Sequence, residues 1–159
     1  MVEAASLNRQ AQNLEIRRID TVGDFPDWLS QDELAAFLHE SLKPYEDTPP
    51  DIRKGLNYAL SEKPGEGGFV LTGRVDGRLA ASLVMLKTGM SGYIPENILL
   101  FVAVSPDSRG KGLGRQIIER AITECEGSVK LHVEYDNPAK RLYERIGFTS
   151  KYAEMRFNR

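Results

Sequence analysis

Three glycines and three basic residues share one short stretch, Arg109-Gly110-Lys111-Gly112-Leu113-Gly114-Arg115. The stretch follows an apolar run, residues 98–104, and precedes an amphipathic run that ends at Cys125. A helix that begins in such a loop has first-turn N–H groups without intrahelical partners, and the positive end of its dipole lies there. Glycines let an anion approach the backbone without meeting a Cβ atom. The stretch therefore predicts a phosphate-binding loop, with a plain tight turn beside a solvated basic face as the alternative.

Spacing narrows the kind of phosphate ligand. A P-loop needs Ser or Thr after its lysine, but Gly112 follows Lys111, and a dinucleotide fingerprint needs a third glycine where Arg115 stands. The pattern that does fit is R/Q-x-x-G-x-G/A, filled by Arg109, Gly112 and Gly114. It resembles the coenzyme A pyrophosphate loop of the GNAT superfamily of N-acetyltransferases.

A second motif strengthens this resemblance. Residues 131–148 read LHVEYDNPAKRLYERIGF, which is similar to the fifth strand, asparagine turn and L-Y-E-x-x-G-F helix of GNAT proteins. The strand before the glycine loop ends V-A-V-S-P, like the fourth strand of the family. Two motifs in the expected order and separation predict a GNAT-type N-acetyltransferase that uses acetyl-CoA.

The resemblance assigns coenzyme contacts to particular positions. In GNAT enzymes the fourth and fifth strands splay apart and the pantetheine arm lies between them. Val102 and Val104 would then offer backbone hydrogen bonds, a backbone N–H near Val102 would polarise the thioester carbonyl, and the amides of residues 109–115 would hold the pyrophosphate. Asn137 is also expected to contact the coenzyme, although it stands one residue nearer Ala139 than the family's asparagine does.

The chemistry needs a neutral amine, a polarised carbonyl and a proton for the departing thiolate. Tyr143 matches the family's tyrosine that protonates the sulfur. A phenol, with a reference pKa of about 10, carries its proton at neutral pH. The alternative for Tyr143 is a packing role, because it adjoins Leu142 on an apolar helix face.

The sequence does not determine the general base: related enzymes use a carboxylate or a water chain, and two residues here are candidates. Glu96 shares strand parity with Ile98, the position where some protein acetyltransferases carry a glutamate. His132 stands where ribosomal-protein acetyltransferases tend to carry one, and a pKa near 6.5 suits a base. Either residue could instead be structural.

The resemblance implies where the acceptor enters, because substrates of GNAT proteins pass over the first two helices and the loop between them, and this region is acidic here. Residues 24–51 hold eight carboxylates against a single lysine. Several of them belong to first helical turns, where they offset the dipole, but Glu46 and Asp47 lie between two predicted helices. We therefore expect these two residues to contact the acceptor, a cationic primary amine of a small molecule or a protein.

Local signals predict one domain, residues 14–159, after a flexible tail, residues 1–13. A Ser30–Glu33 capping box begins the first helix, and Thr48 with Pro49 begins the second. Strands are predicted at 14–19, 68–75, 78–87, 98–104, 129–135 and 148–157, and further helices at 113–125 and 138–146. The run 98–104 suits a strand buried on both faces.

The resemblance implies the matching α/β fold, a mixed α+β arrangement. Its central sheet is mixed, mostly antiparallel and of about six strands, flanked by four helices. Eleven residues follow Phe148, so the family's seventh strand is expected to be missing or very short.

Composition restricts the remaining possibilities. The single cysteine, Cys125, excludes an internal disulfide framework and is predicted to pack in the interior, and no His/Cys spacing indicates a metal site. No signal peptide or bilayer-length apolar run is present, so a cytoplasmic location is predicted. With a net charge of −2, the chain is expected to bind neither nucleic acid nor membrane, and to be a monomer or homodimer. A regulatory coenzyme A-binding module without turnover is the alternative function.

Overall fold

A computed structural model describes residues 13–159, so the predicted tail lies, except for Asn13, outside the described residues. Within that range the chain forms five strands and four helices. In chain order these are β1 Glu15–Ile19, α1 Gln31–Ser41, α2 Pro49–Ala59, β2 Gly68–Val75, β3 Arg78–Lys87, β4 Asn97–Val104, α3 Leu113–Glu124, β5 Val129–Lys130 and α4 Ala139–Ile146. No helix in residues 13–159 is both long and apolar enough to cross a bilayer.

Local signals set most element boundaries where they were predicted. The Ser30 hydroxyl accepts the Glu33 N–H and the Glu33 carboxylate accepts the Ser30 N–H, which completes the capping box of α1. At the start of α2 the Thr48 hydroxyl accepts the Asp51 N–H. The β2–β3 hairpin turns at Asp76 and Gly77, both with positive φ, as a tight hairpin turn requires.

The sheet has the order β1-β2-β3-β4-β5. The first three pairings are antiparallel and the last is parallel. Helices α1 and α2 cover one face, over a core that includes Ile19, Leu34, Leu38, Ile52, Leu56 and Val84. Helix α3 covers the other face, over a core that includes Phe69, Leu71, Leu83, Met85, Ile117 and Ile118, with α4 beside it.

Strand β4 contains a bulge that the sequence did not predict. Met85 pairs with Leu99 and Val84 with Phe101, so Leu100 has no opposite residue in the β3–β4 ladder. The bulge pushes Leu100 toward α2, where a Cβ on Gly55 would lie 2.6 Å from the Leu100 Cδ2 atom. Glycine at this position therefore makes room for the bulge.

Three strand predictions need correction. Full burial in β4 alternates along the strand, so the expected burial on both faces is wrong for Leu100, Val102 and Val104, which border a cleft. Strand β5 has two residues instead of seven, and residues 148–157 form no strand, so the sheet has five strands rather than six. Strand propensity produces a strand only where a paired edge is available, and β5 leaves β4 after Ile98.

Candidate active site

A cleft of about 410 Å³ opens where β4 and β5 diverge. Its walls are residues 99–104 of β4, residues 131–134 after β5, the α1–α2 connection and the first half of α4. Strand β5 pairs with β4 only at Asn97 and Ile98. Beyond that point this edge of β4 has no strand partner among the described residues. Backbone groups on this edge, including those near Val102 and Val104, are therefore available to an extended ligand.

The glycine loop leads into α3 without a side-chain cap. Gly110 and Gly112 have φ values of 76° and 78°, and a Cβ atom at either would meet nothing within 4 Å. Gly112 is the N-cap of α3, and no acidic residue occupies the first turn. The amides of Leu113 and its neighbours are thus not neutralised by the protein's own carboxylates, and this arrangement suits an anion. The residues fit the pyrophosphate of coenzyme A.

Gly114 has a packing role in addition. A Cβ atom there would lie 3.3 Å from Leu142 Cδ2 and 3.6 Å from Val104 Cγ2. The absence of a side chain lets α3 lie close to both α4 and β4. This close approach brings the loop to one end of the cleft.

The basic residues of the loop have different partners. The Arg109 guanidinium donates to the Ser41 carbonyl at 2.7 Å and to the Val104 carbonyl at 3.3 Å, which ties the end of α1 to the end of β4. Arg115 pairs with Glu119 on the surface of α3. Lys111 is exposed and forms no ion pair with another residue in the described part of the chain. Within the described residues, the unpaired positive charge beside the loop is therefore that of Lys111.

Tyr143 lies on α4 and lines the cleft. Its ring packs edge-to-face on Phe148, with 5.9 Å between ring centroids. Burial, with a smaller contribution from the Glu134 charge, raises the pKa of Tyr143 to about 12. The hydroxyl consequently carries its proton at neutral pH, as a proton donor must.

Glu134 is a cleft residue that the sequence analysis missed. Asn137 Nδ2 donates to a Glu134 carboxylate oxygen at 3.0 Å, and Asn137 Oδ1 accepts the Ala139 N–H at 2.9 Å. The signal was present in strand parity, because His132 and Glu134 are two residues apart and extended chain directs such side chains to one side. Asn137 lines the cleft, but its amide atoms form hydrogen bonds within the protein itself.

The structure separates the two base candidates. His132 is exposed and lines the cleft with Tyr143. Glu96 lies at a different cavity, and its carboxylate accepts the Ser128 N–H at 2.6 Å. That hydrogen bond is the main reason that the pKa of Glu96 lies below its usual value. Glu96 is therefore placed to hold the β4–β5 junction rather than to reach an amine in the cleft.

The two predicted acceptor residues also differ in position. Asp47 lines the cleft, and burial, followed by the charges of Asp51 and Glu134, raises the pKa of Asp47. Glu46 is half-buried, is not among the cleft-lining residues, and has one carboxylate oxygen with no hydrogen-bond partner in residues 13–159. Of the pair, Asp47 is the residue that a ligand in the cleft can meet.

The family of the chain follows from a match to known sequences. The acetyltransferase (GNAT) family matches residues 25–148, which is most of the chain. The chain therefore belongs to this family, and the predicted family and enzyme class, an acetyltransferase, are confirmed. The mixed, mostly antiparallel sheet flanked by four helices is the predicted fold class. The family generally uses acetyl-CoA as its co-substrate.

Individual relatives are more distant. A 5-NmdU N-acetyltransferase of Pseudomonas phage PaMx11 is 37% identical over 57 residues, which are 35% of this chain and 41% of that protein. The chain thus matches less than half of that relative's length. A GCN5-related N-acetyltransferase from Ralstonia eutropha JMP134 superposes with a TM-score of 0.65 at 17% identity, over 92% of this chain and 99% of that one.

A third similar protein is an aminoglycoside acetyltransferase from an uncultured soil metagenomic sample, solved in complex with sisomicin. Its TM-score is 0.63 at 16% identity, over 92% of this chain and 95% of that one. At this level of identity the likeness shows the fold alone. Among residues 13–159, no group of three or more His, Cys, Asp or Glu side chains is placed to hold a metal ion.

Proposed function

We propose that this protein transfers the acetyl group of acetyl-CoA to a primary amine of a small molecule or a protein. The observation that carries the proposal is the convergence, on one cleft, of an open β4 edge, the uncapped start of α3 and the protonated hydroxyl of Tyr143. The phage relative supports the reaction class, because its matched residues belong to an N-acetyltransferase.

Binding of the coenzyme uses the wall formed by β4 and α3. The backbone near Val102 and Val104 pairs with the pantetheine arm, and an N–H near Val102 polarises the thioester carbonyl. The amides of residues 109–115 hold the pyrophosphate, with the charge of Lys111 nearby. No metal ion takes part in this proposal.

Proton transfer uses the opposite wall. The amine nitrogen forms a bond to the carbonyl carbon, the carbon–sulfur bond breaks, and the departing sulfur takes the proton of Tyr143. The nitrogen then returns a proton to the tyrosine oxygen, so the enzyme is restored. We propose His132, ahead of Glu96, as the base that takes the first proton from the ammonium group and releases it to water, since His132 lines the cleft. We also propose that Asp47, rather than Glu46, contacts the acceptor.

Two measurements test this function. Calorimetric titration with acetyl-CoA, ATP and NAD should show binding of acetyl-CoA alone. Release of free thiol from acetyl-CoA should then require an amine from a panel of aliphatic and aromatic amines. Binding without thiol release for any amine would favour the regulatory alternative, and binding of ATP or NAD instead would contradict the assigned loop. The cytoplasmic location and the monomeric or homodimeric state stay predictions.

A further inference from the structure

Two carboxylates line the cleft from two separate segments of the chain. Asp47 comes from the α1–α2 connection and Glu134 from the chain after β5. Neither forms an ion pair within residues 13–159. Their charges act on each other, since the Glu134 charge contributes to the raised pKa of Asp47. Arg156 opposes this effect, but its guanidinium is paired with Glu154.

A hydrogen bond across the cleft fixes the distance between these two segments. The Tyr45 hydroxyl donates to the Asp136 carbonyl at 3.2 Å, so the connection that carries Asp47 is tied to the turn that carries Glu134. Burial raises the pKa of Tyr45, and the charges of Asp136 and Glu134 raise it further, so the hydroxyl stays protonated and able to donate. This hydrogen bond therefore keeps Asp47 and Glu134 facing the same cleft.

Asn137 holds Glu134 without neutralising it. The donor is an uncharged amide and brings no compensating positive charge, and within residues 13–159 the Oε2 atom alone accepts a hydrogen bond. The oxygen of the same amide is committed to the first turn of α4 through Ala139. Asn137 therefore fixes Glu134 to the start of the helix that carries Tyr143, and both are set by the same element.

This arrangement favours a positively charged guest. Two like charges facing one cleft repel each other, and a cation between them removes the repulsion, whereas a neutral guest does not. We propose that Glu134 binds the ammonium group of the acceptor beside Tyr143, and that Asp47, on the α1–α2 connection, also interacts with this ammonium group. In the same proposal Asn137 is a positioning residue for Glu134. The inference rests on the proposed function and names its acceptor class, an aliphatic amine that is cationic at neutral pH.

The test compares two probe amines by thiol release from acetyl-CoA: n-butylamine, which is cationic at neutral pH, and aniline, which is uncharged. Glu134→Gln should raise the KM for n-butylamine roughly 10- to 100-fold, as expected for loss of one charge-assisted hydrogen bond. Its KM values for aniline and for acetyl-CoA should change less than about twofold. Glu66→Gln makes the same chemical change at an exposed residue outside the cleft and should alter none of these values.

Asn137→Ser tests the positioning role. Serine keeps an oxygen that can cap α4, so the thermal midpoint should move little. Its shorter side chain no longer holds Glu134, and the KM for n-butylamine should rise by less than in Glu134→Gln while kcat stays near that of the parent. A fall in kcat with an unchanged KM would overturn the positioning role.

The outcomes distinguish the inference from the function beneath it. An active parent whose n-butylamine KM is unchanged by Glu134→Gln overturns the inference and leaves the proposed function standing. Equal increases for n-butylamine and aniline also overturn it, because they indicate general damage to the cleft. No thiol release from the parent with either amine or any other, despite acetyl-CoA binding, contradicts the proposed function itself.

Discussion

The two walls of the cleft are built in different ways. The wall of β4 and α3 joins an eight-residue strand, paired with β3 except at Leu100, to a twelve-residue helix with four buried residues. The wall of β5 and α4 has a two-residue strand, then residues without regular structure, then an eight-residue helix with no fully buried residue. One wall contributes fully buried residues to the core, whereas the other packs on the core through partly buried side chains such as Leu142 and Ile146 and adds side-chain hydrogen bonds.

This difference corresponds to the two substrates in the proposed function. The coenzyme wall needs only backbone groups in fixed places, which a paired strand and a helix start provide. The acceptor wall presents side chains, Glu134 and His132, on chain that is fixed by Asn137 and by the Tyr45 bridge. Side chains on less regular chain can be changed without loss of the fold, and binding specificity commonly lies in such segments.

Tyr143 gives the largest expected effect, because its hydroxyl takes part in the proposed chemical step. It belongs to the wall of β5 and α4. Tyr143→Phe removes a hydroxyl that acts only as the sulfur departs, so turnover should fall on the order of 10²-fold or more. Affinity for acetyl-CoA should stay near that of the parent. Kinetics of thiol release and a calorimetric titration check both parts. Tyr135→Phe makes the same change at an exposed side chain and should leave turnover intact; unchanged turnover in Tyr143→Phe would assign Tyr143 to packing.

The coenzyme wall can be broken at its loop. Gly112 and Gly77 have nearly equal φ values, 78° and 77°, and a Cβ atom at either meets nothing within 4 Å. Replacing either glycine by leucine should therefore impose a similar strain of about 1–2 kcal/mol. Only Gly112→Leu should abolish stabilisation by acetyl-CoA, which is roughly 2.7 kcal/mol at a hundredfold excess over Kd. Thermal unfolding with and without acetyl-CoA measures this, and an equal acetyl-CoA shift in both variants would contradict the assigned loop.

The contrast between the walls also explains what the sequence could predict. The capping box of α1, the Asp76-Gly77 hairpin and the glycine loop each lie within a few consecutive residues, so their physics is local and readable. Strand β5 was predicted too long because its pattern cannot show where β4 stops being its partner. Residues 148–157 were wrongly predicted as a strand for the same reason, because the pattern does not show whether a partner strand is available.

The site residues divide in the same way, into those that belong to a contiguous motif and those that only the fold brings together. The pattern R-x-x-G-x-G located the loop, and the L-Y-E motif located Tyr143, because each motif is contiguous. Glu134 has no motif of its own: Asn137 holds its carboxylate, and the residue that it shares the cleft with, Asp47, is far away in sequence. The sequence likewise does not show where β4 and β5 diverge, and this point decides that His132 and Glu96 lie at different cavities.

Glu96 gives the smallest expected effect and locates the boundary between the two walls. Its carboxylate accepts the Ser128 N–H, and beside it Asn97 Nδ2 donates to the Glu126 and Ser128 carbonyls, at the start of the short β4–β5 pairing. Because the pKa of Glu96 is lowered in the folded state from 4.5, its contribution to stability is present above about pH 4.5 and is lost as the pH falls through the folded value.

Glu96→Gln should therefore lower the urea midpoint at pH 7, while at pH 3 the difference from the parent should shrink. Glu66→Gln, at an exposed carboxylate outside both cavities, should not show this pH dependence. Thiol release by Glu96→Gln should match that of the parent, since the side chain holds the strand junction and lies outside the cleft. A large fall in turnover with an unchanged urea midpoint would instead make Glu96 the base and place catalysis on both sides of the junction.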